Sequence, residues 1–212
     1  MFSNHPAIEQ AGAEILGRRT QVDPGRSILV GVSGIDGSGK SYVTDQIVDR
    51  LLDRGARAVA VHGDGWLNLP DKRFNPHNPG LHFYDNALRL EGMFQELIVP
   101  LKTRRSHSGV MDFAEETAMA YRKQSYAFED VDAIVLECIF LFKRAYRHHF
   151  DLAIWIDCSF ETALERAIAR GQEGLPASET VRAYETIYFP AQKIHFRNDR
   201  PRETADLIID NN

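Results

Sequence analysis

Short apolar runs separated by amphipathic stretches recur along most of this chain. The runs have the length of buried strands, and in the longer stretches between them apolar positions recur three or four residues apart, as on one face of a helix. Strands that alternate with helices predict a doubly wound, mainly parallel sheet with helices on both faces, because parallel strands need long crossover connections. The predicted strands are 28–32, 58–62, 132–137, 151–156 and 205–209, and the predicted helices are 6–19, 42–52, 85–101, 159–170 and 178–196.

Two regions interrupt this alternation. Residues 67–81 contain three prolines and several asparagines, and this composition predicts a long loop without regular structure. The segments Val110–Phe113 and Met119–Phe128 predict an antiparallel pair that projects from the main sheet. A free edge of this hairpin is also where a homodimer could form.

The last two predicted helices carry start and stop signals. Ser159 and Ser178 are predicted to cap their first turns, because a serine oxygen can accept a hydrogen bond from a free backbone amide there. The stretch 171–176 contains two glycines and a proline and predicts a break between the helices. Pro190 predicts a bend in the second of them.

Composition and charge are those of an ordinary globular protein. Apolar residues make up 43% of the 212 positions and charged residues 26%, enough for a single domain with a full core. The net charge of −5 and the pI near 5.9 argue against a surface that coats nucleic acid. No apolar stretch approaches the ~20 residues of a membrane span, and residues 1–30 lack a secretory apolar segment. We therefore expect a cytoplasmic protein that binds neither nucleic acid nor membrane.

The two cysteines give no sign of a metal site. Cys138 and Cys158 lie in apolar runs without metal-ligand spacing, which predicts buried, reduced thiols. His62, His77 and His82 are likewise scattered without such spacing, and we assign none of them as a ligand.

A phosphate-binding motif follows the first predicted strand. The pattern G-x-x-x-x-G-K-[ST] is met by Gly34, Gly39, Lys40 and Ser41, and the strand before it and the helix after it are the context that the motif requires. Glycines let backbone amides turn inward around phosphate oxygens, Lys40 would neutralise the β- and γ-phosphates, and Ser41 would bind Mg²⁺. The predicted nucleotide-binding residues of this loop are Gly34, Asp36, Gly37, Ser38, Gly39, Lys40, Ser41 and Tyr42.

Three further groups could act on a phosphate held in that loop. Asp64 follows the second strand and could accept a proton from an attacking hydroxyl or hold Mg²⁺ through water, although aspartate is also common in turns. Glu137 ends a buried strand and could reach Mg²⁺, or face solvent instead. Arg166 and Arg170 lie four residues apart on one helix face, where they could clamp a transferring phosphoryl group or form a solvated surface.

Taken in this order, the motifs resemble the uridine kinase and phosphoribulokinase-like family of P-loop kinases. The matching segments are SGIDGSGKS, the aspartate after the second strand, VLECIFLF, DLAIWIDCSFETALERAIAR and the final ADLIID, and they span residues 27–210. The resemblance implies transfer of the γ-phosphoryl group of ATP to an alcohol, with ATP and Mg²⁺ bound. It also implies a five-stranded parallel core. The residues that it marks are Lys40, Ser41, Asp64, Glu137 and the lid arginines Arg166 and Arg170.

A basic cluster precedes the last predicted strand. Arg197, Arg200 and Arg202 lie where related kinases place contacts on the adenine side, and this resemblance marks Arg200 and Arg202 as nucleotide contacts, since a guanidinium could stack on the base. The alternative interpretation is a solvated surface cluster without a binding role.

The acceptor pocket departs from the family pattern. Uridine kinases carry P-x-Y-D-F-x-x-H, and here Asp112 and Phe113 match, while Met111 replaces the tyrosine and Glu116 replaces the histidine. The glutamine expected before Tyr184 is an alanine, and Asn78-Pro79-Gly80 stands where an aspartate is expected. Because a polar pocket discriminates through such hydrogen bonds, we do not expect uridine itself as the substrate.

The leading prediction is an ATP-dependent kinase for a hydroxyl of a small metabolite such as a nucleoside, sugar or organic acid. Its catalytic residues would be Asp64, Lys40, Arg166 and Arg170, and its metal residues Ser41, Glu137 and Asp64. We expect one P-loop kinase domain over 1–212, with an N-terminal helix in 1–24, a substrate-side insertion at 67–130 and a lid at 160–180. The alternatives are a thymidylate kinase-like nucleoside monophosphate kinase and a nucleotide-binding regulatory ATPase.

Overall fold

A parallel sheet of five strands forms the centre of the protein, which a computed structural model describes over residues 6–171 and 174–212. The strand order is β2-β5-β1-β6-β7, and every neighbouring pair is parallel, as predicted. The strands β3 and β4 form a separate antiparallel hairpin, which confirms the antiparallel pair predicted within residues 110–128. The strands are β1 Ile28–Gly34, β2 Ala58–His62, β3 His107–Phe113, β4 Arg122–Phe128, β5 Ala133–Glu137, β6 Leu152–Asp157 and β7 Leu207–Asp210.

Helices cover both faces of the sheet. One apolar core lies between the sheet and the first two helices, and another lies around Trp66 and Trp155. A third buried cluster includes Phe83, Phe140 and Tyr188. The helices are α1 Pro6–Arg19, α2 Lys40–Asp53, α3 Pro70–Arg73, α4 Pro79–Asn86, α5 Leu90–Met93, α6 Val99–Arg104, α7 Phe160–Arg170, α8 Ala177–Ala183 and α9 Phe189–Asp199. Single π turns at Phe94–Ile98 and Tyr184–Tyr188 join α5 to α6 and α8 to α9.

The prediction of a structureless loop over 67–81 is wrong. The helices α3 and α4 occupy much of this segment, and each begins with its proline, Pro70 or Pro79, in the first turn. A proline is tolerated there because its missing amide would have no partner in the helix anyway. The same prolines that suggested a loop therefore mark helix starts. The helix predicted for 85–101 is correspondingly shifted, since α5 begins at Leu90.

The predicted caps have different outcomes. Ser159 caps α7, and its Oγ accepts a hydrogen bond of 3.0 Å from the backbone amide of Thr162. Ser178 does not cap α8, because the helix already begins at Ala177 and Pro176 occupies the cap position without a side-chain bond. The π turn Tyr184–Tyr188 lies directly before the predicted bend at Pro190. Gln172 and Glu173, in the predicted break, lie outside the described residues.

The hairpin β3–β4 is fastened to the turn that follows β2. The amide of Ala114 donates to the carbonyl of Gly65 at 3.0 Å, and the guanidinium of Arg89 donates to the carbonyl of Asp112 at 2.6 Å. The ring of Phe113 packs on Gly65 so closely that no Cβ would fit there. The end of the hairpin is thus held beside Asp64, the residue before this glycine.

A buried polar cluster joins α4, α9 and the loop after β5. The hydroxyl of Tyr84 donates to Oδ2 of Asp199 at 2.5 Å, and Nδ1 of His195 lies 2.8 Å from the same oxygen. The amide of Arg144 donates to Oδ1 of Asp199 at 3.0 Å. Asp199 therefore ties three segments that are far apart in the sequence, and α4 and α9 are among those that border the cleft described below.

The cysteines are only partly as predicted. Cys138 is fully buried, but Cys158 is partly exposed at the end of β6. Both are free thiols.

Candidate active site

A cleft of about 640 Å³ lies at the carboxyl ends of β1, β2 and β5, where parallel sheets place their ligands. It brings together most of the predicted site residues from separate parts of the chain. Its walls include the glycine loop after β1, the turn after β2, the end of β5 and the helix α7. The predicted residues that line it are Asp36, Gly37, Gly39, Lys40, Ser41, Tyr42, Asp64, Glu137, Arg166 and Arg170. Gly34 and Ser38 form the loop but do not line the cleft.

The glycine loop has the backbone that its motif requires. Gly37 and Gly39 have φ angles of 77° and 86°, in the left-handed region that side chains disfavour. A Cβ on Gly37 would also lie 2.5 Å from the carbonyl oxygen of Ala163 in α7, and one on Gly39 would overlap the side-chain amide of Asn211. That amide donates to the carbonyl of Ser38 at 2.7 Å, so the last residues of the chain hold the loop in place.

Lys40 is placed to bind phosphate. It is only 7% exposed, and its ammonium donates to the carbonyl oxygen of Ile35 at 3.0 Å. The structure shows no ion pair for this ammonium among the described residues. Because a buried charge is costly without a counter-charge, the arrangement fits a nucleotide phosphate in the loop.

Two of the three predicted metal residues, Ser41 and Glu137, are hydrogen-bonded to each other in the cleft. Oγ of Ser41 donates to Oε1 of Glu137 at 3.2 Å, and Glu137 is 1% exposed. The other carboxylate oxygen, Oε2, is buried without a hydrogen-bond partner. A hydroxyl beside a carboxylate with an unused oxygen is a donor set that suits Mg²⁺, which prefers hard oxygen ligands. The residues therefore fit the metal.

His62 was not predicted as a site residue, but it contacts Glu137. Its Nδ1 lies 3.2 Å from Oε1 of Glu137, and its Nε2 lies 3.4 Å from Asp45 in α2. The hydrogen bond to Glu137 raises the pKa of His62, although burial opposes the rise. The two residues are register partners in β2 and β5, and that pairing is visible only once the strand order is known.

Asp64 lies in a short turn, Gly63–Gly65, directly after β2. Cys138 packs against Gly63 so tightly that a Cβ there would meet its sulfur at 2.5 Å, and this packing holds the turn against the end of β5. Removal of water by the surrounding protein raises the pKa of Asp64, the charge of Glu137 raises it further, and Lys40 opposes the rise. A carboxylate with a raised pKa is a stronger base than an ordinary one.

The predicted lid arginines occupy the opposite wall. Arg166 donates through Nη1 to the carbonyl of Asn211 at 2.8 Å, and a guanidinium nitrogen of Arg170 lies 3.8 Å from Asp36. Asp36 also accepts a hydrogen bond from the hydroxyl of Tyr184. Both arginines line the cleft, and Arg170 contacts the glycine loop through Asp36.

The far end of the cleft contains residues that the sequence did not single out as contacts. They come from α3, α4, the end of β3 and the connection after it, the segments that follow β2 and β5, and the helical segment around α9, and only the fold brings them together. They are Leu67, Arg73, Phe83, Phe113, Glu115, Glu116, Ile139, Tyr188 and Gln192. The one signal in the sequence was the departure at Glu116 from the uridine kinase pattern.

The predicted adenine contacts are not brought to this cleft. Arg202 forms an ion pair of 2.9 Å with Asp157, and Arg197 and Arg200 are exposed. Neither Arg200 nor Arg202 lines the cleft. Their role in binding a nucleotide stays a prediction.

Comparisons with known proteins agree with this geometry. A uridine kinase of Staphylococcus haemolyticus (strain JCSC1435) is 24% identical over 188 residues, which cover 85% of this chain and 86% of that protein. The structure of a possible uridine kinase from Bacillus stearothermophilus matches with a TM-score of 0.75 and 21% identity, over 97% of this chain and 98% of that one. A D-glycerate 3-kinase from Cryptococcus neoformans var. grubii matches with a TM-score of 0.68 and 12% identity, over 96% and 95% of the two chains.

The chain is thus similar in sequence to uridine kinases, and the structural match shows that it has the fold of that P-loop protein. A family model described as methylmalonyl Co-A mutase-associated GTPase MeaB also matches residues 2–64, the part with the glycine loop. The relatives and neighbours are kinases of different small molecules, which supports a P-loop small-molecule kinase that is not necessarily specific for uridine. P-loop kinases generally use ATP and Mg²⁺. In residues 6–171 and 174–212, no helix is both long and apolar enough to cross a membrane.

Proposed function

We propose that this kinase transfers the γ-phosphoryl group of ATP to a hydroxyl group of a small metabolite other than uridine. The observation that carries the proposal is the position of Asp64. This carboxylate, with its raised pKa, lies in the same cleft as the phosphate-binding lysine and the two lid arginines. A protein that only binds a nucleotide has no need of a base there.

In the proposed reaction, the acceptor oxygen forms a new bond to the γ-phosphorus while the bond from that phosphorus to the β–γ bridging oxygen breaks. ADP leaves with the electron pair of the broken bond. The proton of the acceptor hydroxyl passes to the Asp64 carboxylate. The base also orients the hydroxyl, which is much of what such a transfer needs.

Charge on the transferring group is stabilised from two sides. Lys40 and the loop amides hold the phosphates, and Arg166 and Arg170 approach from α7. Mg²⁺, held by Ser41 and Glu137 with Asp64 as a further partner through water, would neutralise negative charge on the phosphates. Nδ1 of His62 donates to Oε1 of Glu137 and so fixes the orientation of that carboxylate.

Different segments of the chain supply the two ends of the proposed active site. The insertion at 67–130 supplies part of the acceptor end of the cleft through Arg73, Phe113 and Glu116, and the proposed lid at 160–180 supplies the arginines. Met111 and Glu116 replace the tyrosine and histidine of the uridine kinase pattern, which is why we propose a different acceptor. A homodimer through the β3–β4 hairpin and a cytoplasmic location stay predictions.

The test is a panel of acceptors with ADP release and product mass as readouts. Purified protein with MgATP would be given D-ribose, D-fructose, uridine, D-glycerate, pantothenate, thymidine monophosphate, or no acceptor. We expect ADP release that depends on a hydroxyl acceptor, with a product heavier by one phosphoryl group. ADP release that is the same without any acceptor would favour the regulatory ATPase. Phosphorylation of thymidine monophosphate alone would favour the nucleoside monophosphate kinase.

A further inference from the structure

We infer that Gln192 binds the phosphoryl acceptor through its side-chain carbonyl oxygen, and that this acceptor is an uncharged molecule with a hydroxyl donor besides the hydroxyl that is phosphorylated. The inference deepens the proposed function and rests on it. Gln192 would be a specificity-determining residue at the acceptor end of the cleft.

Gln192 is held rigidly at the wall of the cleft. It lies in α9, is 1% exposed and lines the same cleft as Asp64. The helices α9 and α4 approach each other at backbone distance, since a Cβ on Gly80 would lie 2.5 Å from Cβ of Pro190 and 3.2 Å from the amide of Ala191. The turn of α9 that carries Gln192 therefore cannot shift easily.

The side-chain oxygen of Gln192 has no partner within the protein. Its Oε1 is buried and makes no hydrogen bond. Among the described residues that line the cleft, the other buried side-chain oxygen without a hydrogen-bond partner is Oε2 of Glu137. Glu137 lies on the side of the cleft where we place the nucleotide. The cleft thus presents one unused oxygen where we place the metal and one where we place the acceptor.

The buried side chain of the same chemical kind at Asn68 is satisfied, although Nε2 of His195 in α9 is, like Oε1 of Gln192, buried without a hydrogen-bond partner. The amide of Asn68, which is 4% exposed, donates to the carbonyl of Asn86 at 2.7 Å and accepts from Tyr121 at 3.4 Å. An unsatisfied buried carbonyl has lost its hydrogen bonds to water without replacing them, so it destabilises the ligand-free protein. A ligand that donates a hydrogen bond to Gln192 would remove this cost. Because a carbonyl oxygen only accepts, that ligand group must be a donor such as a hydroxyl.

The charges around the acceptor end favour an uncharged molecule. Arg73 is one positive group there, and its guanidinium donates to the carbonyl of Glu116 at 2.5 Å and lies over the ring of Phe74 at 4.8 Å. Glu115 and Glu116 are two carboxylates at this end of the cleft, whereas the other cations that line it, Lys40, Arg166 and Arg170, belong to the side where we place the phosphates. A carboxylate or phosphate on the acceptor would face this excess of negative charge, whereas a sugar, polyol or nucleoside would not.

The class of acceptor is tested with the wild-type protein. D-ribose, D-fructose and uridine are the neutral probes, and D-glycerate, pantothenate and thymidine monophosphate are the anionic ones. We expect the best neutral acceptor to exceed every anionic one at least about tenfold in kcat/KM. The sugar and nucleoside probes show which source of hydroxyls the pocket accepts. An anionic acceptor with the highest kcat/KM would refute the inferred class.

The role of Gln192 is tested with Gln192→Leu on the best acceptor and its monodeoxy derivatives. In the wild type, loss of the hydroxyl that meets Gln192 should lower kcat/KM about 10–100-fold, because the amide stays unpaired. In Gln192→Leu, the derivative that lacks this hydroxyl and the intact acceptor should have similar kcat/KM values. Gln95→Leu makes the same chemical change at an exposed position outside the cleft and should keep the wild-type discrimination.

Thermal unfolding separates this role from a structural one. Leucine removes an unsatisfied buried carbonyl, so the Tm of the ligand-free Gln192→Leu protein should equal or exceed that of the wild type. A lower Tm with an equal loss on the parent and every deoxy derivative would show a structural role and refute the inference. If Gln192→Leu still discriminates between the best acceptor and its deoxy derivatives as the wild type does, the inference is refuted and the proposed function is not. If the wild-type protein turns over none of the acceptors, both the proposed function and the inference are refuted.

Discussion

Replacing Asp199 with asparagine is expected to lower the free energy of unfolding by about 2 kcal/mol at pH 7. Burial alone would raise the pKa of Asp199, but hydrogen bonds from His195, Tyr84 and the amide of Arg144 outweigh it and lower the pKa from 3.8 to about 2. At about 1.4 kcal/mol per pH unit, this difference corresponds to about 2 kcal/mol in favour of the folded state. Asp199→Asn removes the charge that these donors stabilise while it keeps the size of the side chain.

The sign of the pH dependence follows from the lowered pKa. The stabilisation is fully present above 3.8, the ordinary value, and is lost as the pH falls toward the folded-state value of about 2. At pH 3, about half of the contribution remains. The difference between wild type and Asp199→Asn should therefore shrink by about half between pH 7 and pH 3.

The assay is urea unfolding followed by circular dichroism at pH 7, 5, 4 and 3. Asp53→Asn is the control, because its side chain is 71% exposed at the end of α2, and it should differ from wild type by less than about 0.5 kcal/mol. Equal stability of wild type and Asp199→Asn at pH 7 would refute the reasoning. A difference in the free energy of unfolding between wild type and Asp199→Asn that stays constant from pH 7 to pH 3 would also refute it.

Two further predictions concern the glycine loop. Gly37→Ala should lower the free energy of unfolding by at least about 1–2 kcal/mol and weaken the binding of a fluorescent ATP analogue, because the φ of 77° disfavours a side chain and Ala163 leaves no room for one. An unchanged Kd and stability would contradict the described loop. Asn211→Ala removes the 2.7 Å hydrogen bond from Asn211 to the carbonyl of Ser38 and should weaken binding of the same analogue about 5–10-fold, as measured by titration. An unchanged Kd would show that the loop holds its shape without this hydrogen bond.

The parts of the site that depend on local spacing could be predicted from the sequence. The glycine loop between a strand and a helix is such a part, because Lys40 and Ser41 have fixed positions relative to the strand that precedes them. Asp64 and Glu137 could also be predicted as site residues, because residues at the carboxyl ends of parallel strands meet at one edge of the sheet. The order of the strands then decides which of them are neighbours, and β2 beside β5 brings these two carboxylates together.

The acceptor end could not be predicted because it depends on contacts between distant segments. Gln192 and Arg73 are separated by more than a hundred residues and face one cleft only because α4 packs on α9 through Gly80. His62 was missed because its partner, Glu137, is set by strand register. The loop predicted at 67–81 was wrong because proline both breaks helices and begins them, and the composition does not distinguish the two.

The central claim is that Asp64 accepts the proton of the acceptor hydroxyl, and Asp64→Asn tests it most directly. Phosphoryl transfer from γ-labelled ATP to the best acceptor and the Kd for ATP would be measured for wild type, Asp64→Asn and the control Asp53→Asn. We expect a loss of about 10²–10⁴-fold in kcat for Asp64→Asn, a Kd for ATP within about threefold of wild type, and no change in Asp53→Asn. Phosphoryl transfer by Asp64→Asn at the wild-type rate would contradict the claim.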